Sequence, residues 1–250
     1  CFLPQVFGFG EVSLTGDHKI QMFLGHWFEG YNEFHISRDP SDNRNKILVW
    51  DDIRRRYYLS LEQSAELYRH AARILTYYYN VESFEQIFPW HHGAGDFVVK
   101  IGEADLDLKQ ISARGYAPLF TNPNQLKNGE KDTELILQAL LIFFLNLSIR
   151  MRLDRYDGVD DIVWADGPVV QSTLVGVMDG LALKPSVASM PDSLVNCFRY
   201  YLSVCTKEDL YELSNAMVET FNQRAPEVRV VKQHLKEHVE ELSRVIGQVI

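Results

Sequence analysis

The chain has 250 residues, 46% of them hydrophobic and 24% charged, enough apolar material for one large core or two small ones. Its net charge of −9 and pI near 5.4 exclude a general nucleic-acid binder, which needs a basic surface to neutralise phosphates. The same acidity works against attraction to an anionic membrane surface.

Three cysteines, Cys1, Cys197 and Cys205, have no CxxC spacing, so neither a disulfide framework nor a zinc site is expected. Reduced thiols and the lack of a charged-then-apolar leader in a sequence that opens at Cys1 point to a cytoplasmic protein. The longest apolar run, residues 135–149, is interrupted by Gln138 and Asn146 and reads as a buried helix rather than a bilayer span.

In chain order, residues 1–58 read as a β-rich lobe. Glycine punctuates Val6-Phe-Gly-Phe-Gly-Glu-Val12, residues 23–36 are aromatic-rich, and Lys46-Ile-Leu-Val-Trp50 is a short apolar strand. Asp39-Pro-Ser-Asp-Asn43 is a turn, because proline fixes φ and Asp and Asn bond back to the backbone. Residues 59–250 then read as a helical lobe. Ser60-Leu-Glu-Gln63 is a capping box opening a helix to about residue 79, with Leu61, Ala65, Tyr68, Ala72 and Leu75 on its buried face. A short helical segment over 81–88 leads to Pro89. Residues 96–101 and 105–111 pair as a β-hairpin, and residues 121–131 form a loop rich in Asn, Pro, Gly and Lys. From residue 132 onward only helices are predicted: 135–153, 169–183, 191–204, 207–221 and 228–249. Strands in the first half and helices in the second give an α+β class, with an N-terminal antiparallel sheet.

One stretch concentrates acid/base groups and flexible backbone: Phe88-Pro-Trp-His-His-Gly-Ala-Gly-Asp-Phe-Val-Val99. His91 or His92 offers a general base or a ligand, and Asp96 offers a cation ligand or an orienting carboxylate. Gly93 and Gly95 allow positive φ and a close backbone approach to a ligand. The alternative is a structural bend in which Asp96 caps a strand.

The element order is similar to that of the kinase-like phosphotransferases of the aminoglycoside- and choline-kinase type. Leu48-Val-Trp-Asp51 falls where a hinge would lie, so the resemblance implies nucleotide contacts at Trp50 and Asp51 and at Gly93 and Gly95. His92-Gly-Ala-Gly-Asp96-Phe97 looks like a loosened catalytic loop, with Asp96 orienting the attacking hydroxyl and His92 shaping the loop or handling a proton. Asp105 or Asp107 would hold magnesium over the phosphates of ATP. Gly8-Phe-Gly-Glu-Val12 resembles a nucleotide-covering loop, and Lys19 with Glu33 would form the lysine–glutamate pair. The implied function is phosphate transfer from a nucleotide to a small molecule or a protein. Two other readings stay open: a non-catalytic interaction module or pseudoenzyme, and a metal-dependent enzyme using His91, His92 and Asp96.

Two further motifs carry chemistry and a plainer explanation. Arg150, Arg152 and Arg155 within residues 150–161 offer guanidinium forks for a phosphate or carboxylate, yet a salt-bridged helix end with an Asp157-Gly158 turn also accounts for them. Arg152 and Asp154 are the pair singled out there. His234-Leu-Lys-Glu-His238 matches a zinc-ligand spacing, but no third ligand follows it. The clusters Trp27-Phe28, Tyr57-Tyr58 and Tyr77-Tyr78-Tyr79 read as core and interface packing, and a patch of them left exposed would instead mark a partner surface.

Overall fold

The structure is a computed structural model that describes residues 2–13, 19–51, 55–90, 95–102, 105–118, 133–159 and 161–250. Strands β1 (Val6–Ser13) and β2 (Lys19–Gly25) pair as an antiparallel hairpin, without a third strand among the described residues. Strands β3 (Glu33–Arg38), β4 (Asn45–Asp51) and β5 (Arg55–Tyr58) form a separate three-stranded antiparallel sheet. The expected turn joins β3 to β4: Asp39 accepts from Ser41 N at 2.8 Å and from Lys46 Nζ at 2.6 Å, and Asn43 takes φ 61°.

Helix α1 (Leu61–Tyr78) starts at the predicted capping box, with Gln63 N donating to Ser60 Oγ at 3.2 Å and Ser60 N to Gln63 Oε1 at 3.0 Å. Its buried face holds Leu67, Tyr68, Ala71, Ala72, Ile74 and Leu75, but Leu61, at the first turn, faces solvent. The short helix expected over 81–88 does not form. Residues 81–83 turn and β6 (Glu85–Ile87) pairs with β9 (Tyr116–Pro118), because Asn80 Oδ1 accepts from the backbone of Glu82 and Ser83 and bends the chain out of helix. The predicted hairpin is present as β7 (Phe97–Ile101) and β8 (Leu106–Gln110).

Helix α2 (Thr133–Arg150) is apolar nearly all round and runs through the core, where Phe144 and Leu140 are fully enclosed. It is the one helix among the described residues long and apolar enough to cross a membrane, and most of it is buried within the fold. Helices α3 (Val169–Ala182), α4 (Leu194–Val204), α5 (Lys207–Glu219) and α6 (Pro226–Val249) complete the helical half. Thr206 and Asp209 form a capping box at α5, and Pro226 opens α6 at a position that has no backbone donor to satisfy.

The second half is not purely helical. Past Arg150 the chain turns through Met151 and Arg152 into β10 (Leu153–Arg155), which pairs with β11 (Ile162–Trp164) across the Asp157-Gly158 turn. Gly158 has φ 78°, and a Cβ there would meet the His35 ring at 2.5 Å, so a side chain is excluded twice over. This hairpin ties the two halves together. The Asp154 carboxylate accepts from Ile36 N at 3.0 Å, Asp157 N donates to Ile36 O at 3.0 Å, and Ser37 Oγ donates to the Asp157 carboxylate. Arg152 and Asp154, singled out from sequence, are both buried but do not pair with each other. Arg152 instead donates to Ala165 O at 3.0 Å and to the Glu241 carboxylate of α6. One hydrophobic core joins β3 and β4 to the helices.

On α6 the two histidines of the zinc-like spacing both pack on Trp164, His234 stacked at 5.1 Å and His238 edge-on at 5.8 Å. Ser148 Oγ gives its proton to Leu145 O at 2.9 Å, so His238 Nε2, 3.2 Å away, is the donor to Ser148. Burial, and then the Arg152 cation, hold the His238 imidazolium down to about 3. The folded chain therefore keeps this ring neutral while the unfolded chain protonates it near pH 6.5. The stability it confers is complete above that pH and is lost as pH falls towards 3. Urea unfolding is expected to show stability declining below pH 6.5, with a shallower decline in His238→Gln; identical slopes would reject this origin of acid sensitivity.

Candidate functional site

The stretch singled out from sequence is built from β6, a cis Phe88–Pro89 peptide and β7. Trp90 is buried edge-on to Phe97, with ring centroids 6.3 Å apart. His91, His92 and Gly93 lie outside the described residues. Gly95 has φ 78°, the left-handed conformation expected of it, with open space where a Cβ would be. Asp96 is only 1% exposed. Its Oδ1 accepts from Arg114 Nε at 3.2 Å and lies 3.1 Å from Arg114 Nη2, while its backbone oxygen accepts from Ile111 N at 2.8 Å.

The two hairpin carboxylates lie elsewhere. Asp105 is exposed at the β7–β8 turn, where its backbone oxygen accepts from Gly102 N at 2.9 Å. Asp107 stands opposite Lys100 on β8, accepting from the Tyr31 hydroxyl at 2.5 Å and from Lys109 Nζ at 2.9 Å. Burial raises the Asp107 carboxyl, but the Tyr31 hydroxyl and the Lys109 ammonium outweigh it and leave the group below the usual carboxylate range. Asp96 sits level with Ile111, four residues further along the β8 strand than Asp107, so about 13 Å of strand separates the two.

Trp50 and Asp51 end β4, Trp50 lying 4.5 Å from the His35 ring and beneath the Arg56 guanidinium at 4.8 Å. The indole Nε1 is buried with no partner among the described residues. Lys19 pairs with Glu11 across the first hairpin at 2.7 Å, not with Glu33, whose carboxylate lies 3.8 Å from His35 Nε2. Among the described residues no three His, Cys, Asp or Glu side chains cluster as metal ligands would.

Beside Trp90 opens a cleft of about 1100 Å³, at the upper end of small-molecule sites. Trp90, Ile142, Leu213, Met217, Phe221 and Val231 give it an apolar wall. Arg150, the last residue of α2, projects into it. Its guanidinium carbon lies 4.5 Å from the Phe88 ring centroid and 5.0 Å from that of Phe221, and its Nε donates to Asn146 Oδ1 at 3.0 Å. Burial pushes the guanidinium down to about 10 and Glu227 only partly opposes this. Glu227 itself pairs with Arg155 at 3.7 Å. Of the three arginines read from sequence as one grip, Arg152 and Arg155 thus hold carboxylates, and Arg150 alone has none of the described carboxylates within ion-pairing distance. The Phe88 and Phe221 rings come from parts of the sequence distant from Arg150, so nothing beside Arg150 signalled them.

A second unusual surface is the β1–β2 hairpin, whose apolar residues are almost all solvent-facing. Phe9 is 93% exposed, Phe7, Met22, Phe23 and Leu24 are each more than half exposed, and Trp27 beyond β2 is 83% exposed. Phe9 lies opposite Phe23, while Gly8 and Gly10 have open space at their Cβ positions. Comparison with protein-family models, with curated proteins and with solved structures finds no match.

Proposed function

We propose that this chain is a non-catalytic protein-interaction module in which the His-His-Gly-Ala-Gly-Asp stretch is structural. The observation that carries the reading is the state of the carboxylates. Asp96 is buried against Arg114, Asp107 is held by Tyr31 and Lys109, and the two stand at opposite ends of the β7–β8 hairpin. The β1–β2 hairpin is the contact surface under this reading. An isolated two-stranded hairpin is marginal in water, and this one carries apolar side chains in solvent and, among the described residues, two unpaired edges. A partner that adds a strand to an edge and covers Phe9 and Phe23 would remove both liabilities.

A photo-crosslinking residue in place of Phe9 is expected to give a discrete covalent adduct with one partner protein in cells, lost when Phe23→Ser is added. Diffuse labelling, or none, would reject the hairpin as the contact surface.

The second reading is the atypical kinase-like phosphotransferase using ATP and magnesium. It draws on the element order: strands, α1, the glycine-bearing stretch ending at Asp96, a hairpin, then helices. Thermal unfolding with Mg-ATP or Mg-GTP separates the two, since a ligand that binds the folded state must raise Tm. No shift is expected. A shift abolished by Asp105→Ala/Asp107→Ala would instead establish nucleotide binding at the hairpin.

A further inference from the structure

We propose that the cleft between α2, α5 and α6 binds an amphipathic monocarboxylate, its carboxylate on Arg150 and its apolar body along Trp90, Ile142, Met217 and Val231. This goes beyond the interaction reading and concerns residues other than those of the β1–β2 hairpin.

The argument begins with charge. Four ionised side chains line the cleft: Arg150, Arg155, Asp154 and Glu227. Arg155 is matched by Glu227 at 3.7 Å, and Asp154 is buried on the Ile36 amide. The four charges sum to zero, but Arg150 is the one cation of the cleft with no ion pair among the described residues; Asn146 holds its guanidinium, and the Phe88 and Phe221 ring centroids lie 4.5 and 5.0 Å from it. Arg150 is half-buried and Glu227 only partly offsets its desolvation, so an incoming anion adds a charge-assisted pair that the described residues do not supply. With Nε held by Asn146, the Nη edge of the guanidinium is the remaining donor surface among the described residues, and it matches the two oxygens of a carboxylate. A nucleotide would bring several negative charges to Glu227 and Asp154 with one cation to receive them, so the site selects a single charge. The apolar wall then decides the rest: most of the ligand must be hydrocarbon or aromatic ring to match it.

The test is calorimetric titration of the whole chain with decanoate and with 1-decanol. Wild type is expected to bind decanoate one to one and more tightly than the alcohol. Arg150→Gln should weaken decanoate roughly tenfold to a hundredfold, the scale of a hydrogen-bonded charge, and leave decanol unchanged. The Phe9→Ser/Phe23→Ser variant should bind decanoate as wild type does, which separates this cleft from the exposed hairpin. Ala216→Trp, on the solvent-side rim of the cleft and away from Arg150 in sequence, narrows the cleft and should weaken both ligands, so the proposal stays testable if Arg150→Gln does not fold. Equal affinity for acid and alcohol, no binding by wild type, loss in the hairpin variant, or full binding in Ala216→Trp would each overturn it.

Discussion

Gly176→Ala costs about 3 kcal/mol of folding stability, as large a loss as overpacking a well-filled core usually brings. A methyl group on Gly176 would sit 2.2 Å from the Arg69 carbonyl oxygen and 2.9 Å from Ala72 Cβ, so α1 and α3 touch through backbone at this point. Gly180, one turn on, meets Thr76 Cβ at 2.6 Å and the Arg73 oxygen at 2.9 Å, and the Arg69–Asp179 ion pair at 2.6 Å fixes the same crossing. Carbonyl oxygens of a helix cannot swing aside as a side-chain tip can, so the helices must part. Intrinsic propensity pulls the other way, since Ala is favoured over Gly inside a helix by about 1 kcal/mol. Gly247, in α6 with nothing within 4 Å of its Cβ, isolates that opposite term. Urea denaturation should therefore show Gly176→Ala destabilised and Gly247→Ala neutral or stabilised. Equal effects at the two sites would mean that the crossing is looser than described.

Arg152→Ala has an effect of similar size by a different route. The Arg152 side chain is 4% exposed and meets the Glu241 carboxylate, the Ala165 oxygen and the Trp164 ring, whose centroid lies 5.3 Å from the guanidinium carbon. Removing it leaves Glu241 without its cation and the Ala165 oxygen without a donor, and breaking one side of a buried pair costs about 3–5 kcal/mol. Glu241 is partly open to water, which places the loss at the lower end of that range. A double variant, Arg152→Met/Glu241→Leu, should recover much of the loss, because the penalty lies in the abandoned partner rather than in a missing attraction. The same change bears on acid stability. Arg152 helps to depress the His238 imidazolium, so Arg152→Ala should also shrink the stability lost below pH 6.5. A double variant as unstable as Arg152→Ala would reject the ion-pair account.

What the sequence determined by itself is the set of features closed within a few residues. Ser60 with Gln63 and Thr206 with Asp209 each satisfy free helix amides three residues away, and the Ser60 cap stands where the sequence puts it. The Asp39–Asn43 turn, the β7–β8 hairpin, the apolar α2 and the α+β order likewise follow from local patterning. The β10–β11 hairpin carried a legible signal too, an Asp-Gly pair before Ile162, Val163 and Trp164, outweighed by the continuous apolar run that precedes it.

Only the tertiary structure decided the rest, because each outcome depends on a partner far away in sequence. Asp96 is engaged because Arg114 folds back onto it, and Asp107 is held because Tyr31 arrives from before β3. The three arginines of residues 150–155 look alike in sequence, yet Glu241, Glu227 and the Phe88 and Phe221 rings give them three separate fates. Glycine at 176 and 180 reads as a weak point within a helix until α1 is laid against it, when the missing side chains become the reason the helices can meet. Local hydrogen bonds and periodicity are encoded over one or two turns, whereas charge pairing and steric fit across the core are fixed only when chain closure brings the partners together.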